Sequence, residues 1–175
     1  MNAPKRYHPL LVTLHWLVAI LVVFNLYIGK FVFVDPDYPE QAAKGHMVMG
    51  IAVLLLVVVR FIVRQRLPRP ADADSGSKLT DTLAKLVHYG LYIMLTLITV
   101  LGASFAMLSG RFARSFLGAG PASGPPPDSV LMLRGLHGLS ANILLLLILL
   151  HVAAAFYHQF IRKDNLIARM WYGAR

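Results

Sequence analysis

The residues of this chain best suited to chemistry are its seven histidines, which occur in a sequence without cysteine. Three of them, His137, His151 and His158, lie in the last long apolar run. An imidazole inside a membrane span is costly and usually marks an ion path, a proton relay or a ligand site. On a helix turning about 100° per residue, the step from His137 to His151 brings the second ring within ~40° of the first, roughly 21 Å further along the axis. Both rings therefore leave one face of one helix. They stand too far apart to share a metal ion and at a suitable distance for two stacked cofactors. His158 follows His151 by two helical turns on the same face.

Four apolar runs must position these side chains. The chain is 57% hydrophobic and 14% charged, with a mean hydropathy of +0.62. Soluble domains run near 25% charged, so the composition indicates a membrane protein. A spanning helix needs ~20 apolar residues, and spans are expected at about 9–33, 43–65, 82–108 and 134–160. This is an all-α, four-helix transmembrane bundle forming a single domain over residues 1–175. The basic start followed by an apolar run resembles a signal peptide, but the run is too long and lacks a small-x-small cleavage site. It reads as a retained span. Most of the 17 Lys and Arg residues lie in the N-terminus, the connection after the second span and the C-terminal tail; the others are Lys30, Lys44, Arg111, Arg114 and Arg134. The positive-inside rule then puts both termini in the cytoplasm. The net charge of +9 is mainly topology, and no nucleic-acid partner is expected.

The connections carry turn chemistry. Asp35-Pro36-Asp37 and Pro39 shape the first, and Pro68, Pro70, Ser75, Gly76 and Ser77 make the second irregular. Thr80 or Asp81 is expected to cap the third helix. The third connection, 109–130, is the longest, and its Gly-Ala-Gly-Pro and Pro-Pro-Pro stretches argue against regular structure.

Depth sorts the histidines. His15 and His151 fall on the inner side, His46 and His137 on the outer side, and His8 lies before the first span at headgroup depth. Two pairs at two depths form the ligand set for two non-covalent b-type haems. Bis-imidazole ligation closes both axial positions and suits electron transfer. The pairs read as His15–His151 and His46–His137; His88, at a depth similar to His15, is the open alternative for the inner pair. Four residues after these ligands stand Ala19, Gly50, Ala141 and Ala155, small enough for a flat macrocycle to lie against the helix. Interhelical hydrogen bonding by imidazole is the plainer reading for any single histidine. Zinc would need His-x-x-x-His spacing or cysteine, and a proton channel would need carboxylates inside the spans.

The motifs now fit a family. Leu14–Trp16 reads L-H-W, Lys44–Met47 reads K-G-H-M, and His88–Tyr89 reads H-Y. Arg134–Gly138 reads R-G-L-H-G, Leu150–Ala155 reads L-H-V-A-A-A, and the tail from His158 to Met170 reads H-x3-R-K-D-N-x-x-x-R-M. Their order and spacing resemble the bacterial cytochrome b561 family over essentially the whole chain apart from the loops. The resemblance implies a di-haem carrier in the bacterial inner membrane, surrounded by lipid and exchanging electrons with quinone. One branch oxidises superoxide outside and reduces ubiquinone inside. On that reading Arg134, three residues before His137, is the catalytic candidate, pairing with a propionate or attracting the anion. Lys30, Lys44, Arg111 and Arg114 would add to an outer positive field. His88 and His158 are assigned to the quinone pocket, with Lys163 and Asp164 as helpers. The alternative is a cytochrome b subunit that passes electrons for a partner dehydrogenase or hydrogenase.

Overall fold

The computed structural model describes residues 4–35, 37–71, 76–119 and 125–173. Pro36, Ser75 and the Gly120-Pro121 half of Gly-Ala-Gly-Pro, on which turns were expected, lie outside the described residues. Helix α1 spans Pro9–Tyr27 and widens into a π-helical turn over Ile28–Val32. Pro9 stands at the first helical position, where its missing N–H is no loss. The preceding His8 is the N-cap, its Nδ1 accepting the Leu10 N–H at 3.2 Å. Helix α2 runs Glu40–Arg66, and basic Arg64 and Arg66 face its negative dipole end. Its 27 residues reach about 40 Å, more than the ~30 Å hydrocarbon core.

Helix α3, Lys78–Leu108, begins earlier than expected. Its N-cap is Ser77, whose hydroxyl accepts the Thr80 N–H at 3.2 Å, so neither Thr80 nor Asp81 caps it. The third connection also departs from expectation, because it contains a short helix α4, Arg111–Leu117. Gly110 (φ 69°) and Gly118 (φ 66°) bound it in the left-handed region, and glycine's freedom there lets so short a helix start and stop. Helix α5, Asp128–Phe156, starts at the end of the proline run, with Pro127 as its N-cap, and ends in a π-helical turn over Tyr157–Arg162. Proline there fixes an extended φ ahead of the first turn, so the run that argues against structure also launches a helix. Helix α6, Leu166–Arg169, closes the described chain.

Four helices are long and apolar enough to cross a membrane: Pro9–Val32, Glu40–Arg66, Lys78–Leu108 and Asp128–Arg162. Neighbours in sequence pack together, α1 on α2, α2 on α3 and, most extensively, α3 on α5. Neither α1 nor α2 makes a comparable backbone approach to α5. The bundle is thus closed on one side and held open between α5 and the first two helices. Both chain ends meet at one end of the bundle, where Tyr7 N–H donates to the Arg169 carbonyl at 3.0 Å and Trp16 Nε1 to the Met170 carbonyl at 2.9 Å.

The buried core is small and central. It comprises Val18 and Val22 from α1, Val53 and Val57 from α2, Ile98 from α3 and Leu144 from α5. Leu144 falls midway between His137 and His151 and is 2% exposed. Outward-facing residues such as Leu146 (57% exposed) are also apolar, as expected where lipid rather than water is the solvent. Leu144→Ala should therefore lower stability by about 2–5 kcal/mol, while Leu146→Ala should stay within about 0.5 kcal/mol. Thermal unfolding in detergent measures both, and equal losses would contradict a core centred on Leu144.

Candidate functional site: two histidine layers

Four of the histidines form two facing pairs of matching geometry. His15 on α1 and His151 on α5 have ring centroids 6.2 Å apart and planes at 70°. His46 on α2 and His137 on α5 are 6.0 Å apart at 72°. The first pair lies at the end where the chain termini meet, the second at the far end, and the apolar core separates them. Each pair joins two helices that lack close backbone packing, so each spans the open side of the bundle.

At the far layer, the rings are held from behind. His137 Nδ1–H donates to the Ile98 carbonyl on α3 at 2.9 Å, which fixes the tautomer and leaves Nε2 with its lone pair free. Outer partners of this kind orient metal-binding histidines. One turn further along α3, Gly102 leaves room for the same ring: a Cβ there would stand 2.8 Å from His137 Cε1 and 3.0 Å from Nδ1. His46 packs edge-on against Phe33, centroids 5.1 Å apart, and its Cε1 would lie 3.7 Å from a Cβ at Gly29. Its Nδ1 is buried without a hydrogen-bond partner. A methyl at Gly50 would meet only Asn25 Nδ2, at 3.8 Å, so protein packing alone does not require glycine there.

At the near layer, His15 packs against Trp16 at 5.4 Å. His88 also reaches His151, centroids 5.1 Å apart and planes at 81°. His151 thus touches both histidines that the sequence left open as inner ligands. His88 Nδ1–H donates to the Ala84 carbonyl at 2.7 Å, and its side chain is more exposed than those of His15 and His151.

His158 lies apart from both layers. It is 7% exposed, and its Nδ1 is 2.6 Å from Asp164 Oδ2. The chain reverses between them through Lys163 and Asn165, both at φ 56°. Asp164 Oδ1 also accepts the Leu166 N–H at 3.2 Å, starting the tail helix. Burial pushes the Asp164 carboxyl up, but the hydrogen bond and charge of His158, with smaller help from Leu166 N–H and Arg169, hold it below the ordinary carboxylate value.

The far-end cations divide. Lys30 donates to Asn142 Oδ1 on α5, and Arg111 donates to the Tyr38 hydroxyl while lying over the Tyr38 and Phe105 rings. Arg114 donates to the Ser109 carbonyl at 3.2 Å, and Lys44 stands 5.5 Å from the Phe116 ring centre. Ser115 of α4 donates to Glu40, tying the short helix to the start of α2. Arg134 is exposed and has no polar partner among the described residues.

Partners of the paired histidines and of Arg60 were not foreseen from the sequence. Arg60, in the second span, donates to the Tyr92 hydroxyl on α3. Its position one turn deeper than Arg64, inside an apolar run, was the available signal. Ile98 and Gly102 carried none, because a carbonyl and a missing side chain look alike in any apolar helix.

These features fit haem. A metal–imidazole bond is about 2 Å, so two trans imidazoles place their ring centres roughly 6 Å apart, as in both pairs. Among the described residues no group of three or more His, Asp or Glu side chains is arranged to chelate a metal ion. The arrangement is two facing pairs of imidazoles across a gap. With no cysteine in the chain, such a group would be held without thioether bonds.

Comparison with known proteins agrees. The family described as prokaryotic cytochrome b561 matches residues 6–173. The chain is 33% identical to "Cytochrome b562" of Cereibacter sphaeroides, over 97% of this chain and 98% of that one. It is 29% identical to "Probable superoxide oxidase CybB" of Yersinia pestis, over 95% and 96% of the two chains. Identity is also 29% with "Cytochrome b561 homolog 1" of Escherichia coli, over 95% and 97%. With four membrane-spanning helices and paired histidines between them, the chain belongs to the prokaryotic cytochrome b561 family, haem b proteins of electron transport that cross the bacterial inner membrane several times.

Proposed function

We propose that this protein carries two haems b and moves electrons from superoxide at the far end to ubiquinone at the end where the termini meet. The observation that carries the two-haem part is the near-identical geometry of His15–His151 and His46–His137, both built on α5. When bound, haem supplies reversible one-electron chemistry. The polypeptide's part is to hold four imidazoles at the gap, His137 with its Nε2 lone pair free. The apolar core keeps water from the space between the layers. His88, already donating to Ala84, is a neighbour of the near layer rather than a ligand.

Lys and Arg crowd the end that carries the termini, which supports its lying in the cytoplasm. The far end then faces the periplasm, with Arg134 exposed and unpaired three residues before His137. A free cation there attracts a small anion and raises its encounter rate. The name of the Yersinia relative supports superoxide as that anion. Each superoxide gives up one electron and leaves as dioxygen. Reducing one quinone to quinol takes two such electrons and two protons from the cytoplasmic side. The pair of buried His158 and half-buried Asp164, with Lys163 beside it, stands at that end as the proton-handling group.

Purified protein should contain two haems b per chain. His15→Ala, His46→Ala, His137→Ala and His151→Ala should each retain about one, and His88→Ala should retain both. Loss of a haem from the His88 variant but not from the His15 variant would overturn the pairing. Gly102→Ala should shift or weaken the spectrum of the His46–His137 haem alone, since the ring must move to admit the methyl; an unaltered spectrum would remove Gly102 from the site. Superoxide should reduce the haems, and ubiquinone should reoxidise them. Arg134→Gln should slow that reduction roughly tenfold and flatten its salt dependence. Haems that dithionite reduces but superoxide does not would end the superoxide reading. In that case a dehydrogenase that co-purifies in stoichiometric amount would make the chain an electron-transfer subunit.

A further inference from the structure

Arg60 carries a charge that the fold leaves uncompensated. It sits in the membrane-spanning part of α2, one helical turn deeper than Arg64, within the apolar stretch Val57–Val63. Its guanidinium donates to the Tyr92 hydroxyl and lies 5.7 Å from the centre of that ring. Its Nε is buried and has no hydrogen-bond partner. The charged or titratable groups acting on it are Tyr92, Arg64 and Tyr7, with no carboxylate among them. A guanidinium does not deprotonate in proteins, so the positive charge stays.

The charge stands beside the near histidine layer. Tyr92, which holds the guanidinium, is one helical turn on from His88, whose ring centre is 5.1 Å from that of His151. An ionisable side chain inside a membrane is retained at a cost and marks function, with a partner to be named.

We infer that Arg60, tethered by Tyr92, is a fixed positive charge that raises the reduction potential of the haem held at His15–His151. The inference rests on the two-haem reading. A nearby cation stabilises an added electron, and inside the bundle salt screens it little. At an effective dielectric near 20 and a separation of about 10 Å, one charge changes the reduced-to-oxidised ratio by roughly tenfold.

The test is a spectroscopic redox titration of the purified holoprotein, fitted to two one-electron components. The His15→Ala variant, missing one component, identifies the near-layer haem. Arg60→Gln should lower that component's ratio roughly tenfold at fixed potential, about 59 mV, and leave the other in place. Arg60→Lys, which keeps the charge, should stay close to the wild type. Unmoved midpoints in Arg60→Gln, equal shifts of both components, or an Arg60→Lys shift as large as the Gln shift would each overturn the inference. If Arg60→Gln fails to hold haem, Tyr92→Phe decides: loosening the guanidinium should move the near-layer component in the same direction by less, and no movement refutes the role. A wild-type protein without two haem components would instead refute the two-haem reading.

Discussion

A transmembrane bundle gains little from bringing its helices together, because lipid tails are as apolar as leucine side chains. Packing must therefore decide both where helices touch and where they stay apart. Here α3 touches both α2 and α5, while α1 and α2 are kept off α5. Val18, Val22, Val53, Val57, Ile98 and Leu144 meet at one central level and act as a spacer for the open side. Above and below this spacer the same gap recurs, bridged each time by two imidazoles about 6 Å apart. The matching distances follow from one cause: a single straight helix, α5, presents both rings from one face to helices held at a common separation.

The second constraint is that polar groups in hydrocarbon need partners. The histidine rings meet it by bonding backwards to helix carbonyls, His137 to Ile98 and His88 to Ala84. At His137 that bond spends the Nδ1 proton and leaves Nε2 its lone pair. Arg60 meets the constraint only in part, through Tyr92. The residual charge stays beside the near layer, held by that one bond.

The sequence carried the histidine pairs more clearly than their supports. Polar residues in apolar runs stand out, so the four spans and the histidine depths could be read from composition and spacing, and α5 realises the shared face inferred from the 14-residue repeat. The supports are invisible for physical reasons. Ile98 acts through its carbonyl, which every residue has, and Gly102 acts by lacking a side chain. Arg60 was conspicuous but ambiguous, because anchoring arginines also cluster near helix ends. Helix α4 was missed since proline and glycine runs around it dominate the local signal, whereas its two left-handed glycines are what permit it. The N-cap Ser77 lost out to Thr80 and Asp81 because all three residue types cap helices and only geometry chooses. His158 stood out as the third member of the stripe, but its carboxylate partner comes from a chain reversal through Lys163 and Asn165 that no periodicity foretells.

The knot of contacts where the chain ends meet bears on how the molecule is assembled. Arg6 donates to the Tyr172 carbonyl at 2.8 Å, Arg169 to the Ala71 carbonyl at 2.8 Å, and Trp16 stacks edge-on against Trp171. These contacts join segments as far as 166 residues apart, so they form late, after the intervening helices are in place. Until the tail arrives, α1 is moored along α2 alone and its free edge can swing from α5. Insertion of the helices and joining of the two chain ends are thus separate events.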